Sequence, residues 1–278
     1  MLQRKQIAGM NIHYARYSVD YFFDAMERAG FETVAFWGGP PHFRLDHRSF
    51  EDCGALLRKA AQRGLSIGCF TTPGCAYGYQ VGMPEPFREQ SFAYFSNGIR
   101  ACAELGSRQM VINSGWGLRE EDREEAWKRS REMLWRLAEF ARGYGVTLTM
   151  ESLRPEESQL VCTLADTKRM FDEVGHPNLK VMIDTAAMGV AGEMPEEWFD
   201  CFGGALQNLH FVDGTPYGHL AWGDGTQPLG RFMDCLEANG YRGLLGLEVT
   251  HGRYFADPAS ADLQNMRILS RYCAADSG

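Results

Sequence analysis

The chain has 278 residues, of which 45% are hydrophobic and 23% are charged, so it is long enough to bury one large core. Its net charge is −8 and its 28 Lys and Arg residues are scattered, which argues against a nucleic-acid partner and favours a small neutral ligand. The first residues lack the apolar core of a signal peptide and no apolar run of about 18 residues follows, so the sequence predicts a cytoplasmic protein with no membrane partner.

Short apolar runs alternate with amphipathic stretches along the whole chain, which is typical of strands alternating with helices. The predicted strands are Ile7–His13, Thr33–Trp37, Ser66–Thr71, Gln109–Asn113, Thr147–Leu153, Lys180–Asp184, Asn208–Val212 and Leu244–Val249. The predicted helices are Ser18–Ala29, Phe50–Arg63, Pro86–Leu105, Arg123–Tyr144, Leu164–Val174, Pro195–Phe202, Thr226–Asn239 and Pro258–Tyr272. Eight such units predict an α/β fold, a (β/α)8 TIM barrel formed as a single domain by residues 1–278.

The loops of this barrel fall into two kinds. Those that follow helices are short and often begin with a glycine, such as Gly30 and Gly145, which suits a left-handed helix cap. Those that follow strands are longer and rich in Gly, Pro, His and aromatic residues, as in WGGPPHFRLDH at 37–47. We therefore expect the functional site at the C-terminal ends of the strands.

An acidic residue or a histidine closes each of the last four predicted strands. These residues are Glu151, Asp184, His210 and Glu248. Three carboxylates that converge at a barrel mouth would repel one another unless a positive charge lay between them, and a divalent metal is the simplest such charge. Oxygen ligands with one imidazole suit Mn²⁺, Mg²⁺ or Co²⁺ better than a thiolate zinc site. Two glutamates beside a metal-held diol can serve as a general acid–base pair around an enediolate.

Six motifs give the sequence a resemblance to a known family. They are WGGPPH at 37–42, ESLRPEES at 151–158, MIDTAAM at 182–188, LHFVDG at 209–214, HLAWGDG at 219–225 and LGLEVT at 245–250. With these motifs the chain resembles the xylose isomerase-like TIM barrels, and within them the ketose 3-epimerases, over nearly its whole length. Tagatose-type members carry a histidine where this chain has Ala187, so the fructoselysine 3-epimerase branch is the nearer match.

The resemblance implies a role for each matching residue. It implies one divalent metal, Mn²⁺ ahead of Co²⁺ or Mg²⁺, bound by Glu151, Asp184, His210 and Glu248. It also implies that Glu151 and Glu248 are the acid–base pair that inverts C3 of a ketose or ketosamine. Glu157 would hold substrate hydroxyls and His219 would be a basic substrate contact. The family further implies a homo-oligomer, either a dimer or a tetramer.

Two residues of the strand-following loops are further candidates for contact with a sugar. His42 lies in the loop after the second strand and Trp116 lies after the fourth, where aromatic side chains commonly cover sugar rings. The GDG sequence at 223–225 gives a weak signal for phosphate-binding amides. The eight cysteines, Cys75 among them, form no CxxC pair and predict reduced thiols.

Three other functions fit parts of the sequence. An aldose–ketose isomerase would use the same metal and glutamates but would move the carbonyl between C1 and C2. A metal-dependent nuclease of the endonuclease IV type needs many histidine ligands for three zinc ions, whereas this chain has seven His residues and just one of them closes a strand in a matching motif. A barrel that binds sugar without turnover remains open, because a fold does not determine an activity.

Overall fold

Eight parallel strands close into a barrel in chain order, with the last strand hydrogen-bonded to the first. The computed structural model describes residues 2–74 and 78–274. The strands are β1 (Ile7–Met10), β2 (Thr33–Trp37), β3 (Ser66–Thr71), β4 (Gln109–Asn113), β5 (Thr147–Glu151), β6 (Leu179–Asp184), β7 (Leu206–His210) and β8 (Leu244–Leu247). The predicted (β/α)8 barrel is confirmed.

Helices surround the barrel, and the described residues contain nine of them. They are α1 (Val19–Ala29), α2 (Cys53–Ala61), α3 (Arg88–Glu104), α4 (Arg123–Gly143), α5 (Leu164–Val174), α6 (Thr185–Ala191), α7 (Pro195–Phe202), α8 (Leu229–Ala238) and α9 (Pro258–Leu269). Eight correspond to predicted helices. The prediction missed α6, because its sequence TAAMGVA has no charged face and gives no amphipathic signal.

Local sequence explains where the elements begin and end. Helix α1 begins after Ser18, whose side chain accepts a hydrogen bond from the amide of Tyr21, and it ends at Gly30 in the left-handed conformation at φ 80°. Small and medium side chains fill the inside of the barrel, where Ala8, Ala35, Cys69, Val111 and Met182 form one buried cluster. No helix of the described residues is long and apolar enough to cross a membrane.

The cysteines follow the prediction as far as the structure describes them. All seven cysteines in residues 2–74 and 78–274 are free thiols. Cys75 lies outside the described residues.

Several strands end earlier than the apolar pattern predicts. Strand β1 ends at Met10 rather than at His13, and β8 ends at Leu247 rather than at Val249. The apolar runs continue past the strand ends because the loops above the barrel have a core of their own, in which Val212 and Val249 are buried. Glu248, predicted to end its strand, therefore lies one residue beyond it.

The long loop between β7 and α8 is organised by one buried carboxylate. Asp213 Oδ1 accepts hydrogen bonds from the amides of Gly214 at 2.8 Å and Gln227 at 3.0 Å. Its Oδ2 accepts from the amides of Gly223 at 3.0 Å and Gly225 at 2.9 Å. The amides of the GDG sequence are therefore used inside the loop, and the suggestion that they bind a phosphate is wrong for this structure.

We expect Asp213→Asn to lower the free energy of unfolding by about 1–3 kcal/mol, because the NH2 group that replaces one carboxylate oxygen would face backbone N–H donors and cannot accept from them. Urea denaturation followed by circular dichroism measures this change. Asp200→Asn, at an exposed aspartate of α7, is the matched control and should have little effect. Equal stability of the two variants would contradict the role given to Asp213.

Candidate metal centre

The barrel brings four side chains to one point at its C-terminal end. Glu151, Asp184 and His210 are the last residues of β5, β6 and β7, and Glu248 directly follows β8. Parallel pairing places Asp184 opposite His210 and His210 opposite Gly246, so the strand ends are level. One ligand atom from each of the four residues lies within 4.8 Å of all the others. The structure thus brings together the four residues that the sequence analysis named.

Imidazole rings lie between the carboxylates of this cluster. His210 Nδ1 contacts Oε1 of Glu151 in a short hydrogen bond and lies 3.0 Å from Oε2 of Glu248. His219 Nε2 lies 2.7 Å from Oδ2 of Asp184 and 3.6 Å from Oε2 of Glu248. His219, predicted as a substrate contact, therefore reaches the mouth and pairs there with a metal-ligand candidate.

The second oxygen of Asp184 is held by the short helix that the sequence did not reveal. Oδ1 accepts hydrogen bonds from the amides of Ala186 at 2.7 Å and Ala187 at 3.1 Å at the start of α6. Thr185 Oγ1 donates to the carbonyl of Val212 at 2.7 Å and fastens this turn to the end of β7. The backbone therefore fixes the carboxylate with Oδ2 towards the other ligands, as supporting contacts do around metal sites.

Burial and charge act in opposite directions on the ionisable groups. Burial raises the pKa of Glu151, and His210 offsets part of that rise. Burial alone would lower the pKa of His210, but the carboxylates of Glu151 and Glu248 raise it well above its usual value. In the same way, burial lowers the pKa of His219 but Asp184 raises it by more. Each imidazole thus acts as a counter-charge to the buried carboxylates.

These residues fit a divalent cation. Three carboxylates and one imidazole form a hard donor set without thiolate, and all four lie within reach of a single ion. Nε2 of His210 is buried without a hydrogen-bond partner in the described part of the chain, so the polar contacts of this ring lie on its Nδ1 side, towards the carboxylates. Two imidazoles against three acids leave an excess of negative charge that a cation would balance.

A cavity of about 350 Å³ lies at the barrel mouth, and three of the four residues line it. Glu151, Asp184 and Glu248 line it together with His219, and Trp37 and Phe95 supply apolar wall. Its size suits a small molecule with several polar groups.

An ion pair that the sequence analysis missed also lines this cavity. The guanidinium of Arg154 donates to both oxygens of Glu157, with Nη2–Oε1 at 2.6 Å and Nε–Oε2 at 3.0 Å. The amide of Arg154 donates to the same carboxylate at 3.1 Å. The sequence does contain a sign of this pair, since RPEE places opposite charges three residues apart. Many surface ion pairs without a function have the same spacing, so the spacing alone does not identify this one. Glu157 is therefore held in one orientation at the mouth.

His42 is not among the residues that line the mouth cavity. Its Nδ1 accepts a hydrogen bond from Asn11 Nδ2 at 2.8 Å, and its Nε2 donates to the carbonyl of Tyr17 at 2.9 Å. Burial lowers the pKa of His42, which agrees with a neutral ring. Asn11 in turn binds the amide of Trp37 at 2.6 Å. The expectation of a substrate contact is corrected, because both ring nitrogens support the wall rather than face the cavity.

Trp116 lies beside the mouth cavity and not in it. It lines a second and more open cavity of about 540 Å³, which adjoins the first at Glu157.

Comparison with known proteins gives consistent results. Residues 23–272 match the profile of the family described as xylose isomerase-like TIM barrel. Fructoselysine 3-epimerase of Shigella flexneri is 27% identical over 263 residues, which cover 92% of this chain and 95% of that protein. D-psicose 3-epimerase of Ruminiclostridium cellulolyticum is 25% identical, and the match covers 82% of this chain and 77% of that protein. The crystal structure of 3-keto-D-glucoside 4-epimerase from E. coli shares the fold, with a TM-score of 0.76 at 18% identity. The match covers 96% of this chain and 99% of that chain.

We expect His210→Ala to lower the affinity for Mn²⁺ by about 10-fold or more, because it removes the nitrogen ligand from the cluster. Calorimetric titration of metal-stripped protein measures the affinity, and circular dichroism checks the fold. His47→Ala is the matched control, since that ring contacts Tyr79 away from the cluster. Unchanged Mn²⁺ binding by His210→Ala would count against the site.

Proposed function

The chain belongs to the xylose isomerase-like TIM barrel family, and we propose that it is a divalent-metal-dependent ketose 3-epimerase. It is an enzyme of the isomerase class, since its relatives are named epimerases. We propose a ketose or ketosamine as the substrate and Mn²⁺ as the ion. One observation supports the proposal above others, namely that the carboxylates of Glu151 and Glu248 flank the same imidazole nitrogen within the mouth.

A divalent cation bound by Glu151, Asp184, His210 and Glu248 would supply positive charge that makes the hydrogen next to a sugar carbonyl more acidic. The protein's own residues would then move the proton. In the proposed mechanism one of Glu151 and Glu248 removes the proton from C3, and the other delivers a proton to the opposite face of the enediolate.

Other mouth residues would bind and orient the sugar. Glu157 presents a carboxylate, fixed by Arg154, that can accept hydrogen bonds from substrate hydroxyls. His219 lines the same cavity and supports Asp184. Apolar wall at Trp37 and Phe95 limits water around the reacting carbons.

Turnover in heavy water should give product with deuterium at C3 and none at C1. A hydride shift between C1 and C2, as in an aldose–ketose isomerase, keeps the substrate hydrogen within the sugar and leaves C3 unlabelled. NMR of the products from a panel of ketoses and ketosamines measures the label. An unlabelled C3 in the product would contradict the two-glutamate mechanism even if the metal site is correct.

Glu151→Gln and Glu248→Gln should each lower kcat by about 10²-fold or more, since the amide keeps the shape of the side chain but cannot transfer the proton. Steady-state kinetics at saturating Mn²⁺ separates this loss from weaker metal binding. Glu132→Gln, at an exposed glutamate on the outside of α4 that pairs with Arg88, is the control. A Glu248→Gln enzyme that keeps full activity would exclude Glu248 from proton transfer.

Glu157→Gln should reduce kcat/KM by about 5- to 150-fold, the equivalent of roughly 1–3 kcal/mol for a lost polar contact, while Mn²⁺ affinity stays the same. Steady-state kinetics measures kcat/KM and calorimetry measures the Mn²⁺ affinity, and both are needed on the same variant. Loss of metal binding in Glu157→Gln would instead mean that the ligand set is wrong.

A further inference from the structure

Beside the mouth cavity lies the second cavity, which no step of the proposed reaction uses. Its volume is about 540 Å³, against about 350 Å³ for the mouth, and Glu157 lines both. The two cavities are therefore neighbours at Glu157, and a substituent on a molecule bound at the metal-ligand cluster could extend towards the second cavity.

One aromatic residue, Trp116, lines this second cavity. It lies between Gly115 at φ 73° and Gly117 at φ 64°, two left-handed positions that favour glycine. Its amide donates to Oε1 of Gln80 at 2.9 Å, and its carbonyl accepts from the amide of Gln159 at 3.3 Å. The indole is partly buried, and in the described part of the chain it stacks on no other ring. The backbone of Trp116 is thus fixed at the edge of the cavity that this residue lines.

The two loops that form this cavity are tied together. Ser158 Oγ donates to the carbonyl of Gly115 at 2.7 Å, and Gln159 Nε2 donates to the carbonyl of Leu118 at 2.7 Å. Arg119 Nη2 reaches the carbonyl of Pro155 at 2.8 Å. Such cross-links hold the cavity in shape before a ligand binds, which reduces the entropy cost of binding.

Charged side chains of both signs border the indole. Glu120 and Glu156 are exposed carboxylates, and Arg119 is an exposed guanidinium. Arg154 lies 3.8 Å from Glu156 and also pairs with Glu157, so it offsets part of the negative charge of the three carboxylates around the cavity. An aromatic face with acceptors and donors at its rim suits a neutral ring that carries hydroxyl groups.

We propose that this cavity is a subsite for a second sugar ring, joined to the ketose that reacts at the mouth. The preferred substrate is then a glycosylated ketose rather than a free monosaccharide. The inference rests on the proposed epimerase function and adds to it the class of substituent and the residue, Trp116, against which that ring stacks.

The test compares D-fructose with two disaccharides that have a free ketose carbonyl, namely isomaltulose, glucosylated at O6, and trehalulose, glucosylated at O1. We expect kcat/KM for at least one disaccharide to exceed that for D-fructose by about 10-fold or more. Trp116→Ala should remove most of this preference, and Trp116→Phe should keep much of it. Trp135→Ala, at an exposed tryptophan on α4, is the matched control and should leave the preference unchanged.

Three results would overturn the subsite. They are equal use of D-fructose and both disaccharides, an equal loss for all three sugars in Trp116→Ala, and a preference for fructose with a butylamino group at C1 over both disaccharides. Absence of turnover and of C3 labelling with every ketose would contradict the epimerase function separately. In that case calorimetric binding of isomaltulose and D-fructose to wild type and Trp116→Ala still decides whether the second ring is bound there.

Discussion

Repulsion among three carboxylates, two of them buried and the third partly buried, is the constraint on which the mouth of this barrel depends. Parallel strands bring their C-terminal ends to one place, so Glu151, Asp184 and Glu248 converge whether or not a counter-charge is present. His210 and His219 supply that charge from within the protein, and both imidazoles hold their protons more tightly than usual as a result. A cation that replaces these protons would relieve the same repulsion, so metal binding and the stability of the mouth are coupled.

The structure uses carboxylates in a second way, as organisers of backbone. One oxygen of Asp184 holds the first turn of α6 while the other faces the cluster, and Asp213 holds four amides of the β7–α8 loop. That loop carries His219, whose position against Asp184 depends on the loop being fixed. A small error in the position of such groups lowers catalytic efficiency strongly, which explains why so many hydrogen bonds are used on residues that do not touch the substrate.

The barrel and the convergence of its four candidate metal ligands could be predicted, because each of these residues closes a buried apolar run in one of four successive βα units, and both features are local in the sequence. The roles of His42, Asp213 and Arg154 could not, because each depends on a partner from a different loop or on the direction of a side chain. His42 faces Asn11 across 31 residues, and a sequence pattern does not encode that separation. The helix α6 was missed for a related reason, since it is held by Asp184 and Thr185 rather than by an amphipathic face.

In the proposed mechanism, the pair formed by Arg154 and Glu157 would join the reaction to recognition of the rest of the substrate. Glu157 borders the cavity that contains the metal-ligand residues as well as the cavity that contains Trp116. A substituent bound against Trp116 would restrict how the ketose lies against Glu157 and hence where C3 lies relative to Glu151 and Glu248. Binding energy from a part of the substrate that does not react can in this way lower the barrier for the part that does. The β4–α4 and β5–α5 loops, rather than the strands, are then the elements that decide which sugar this barrel converts.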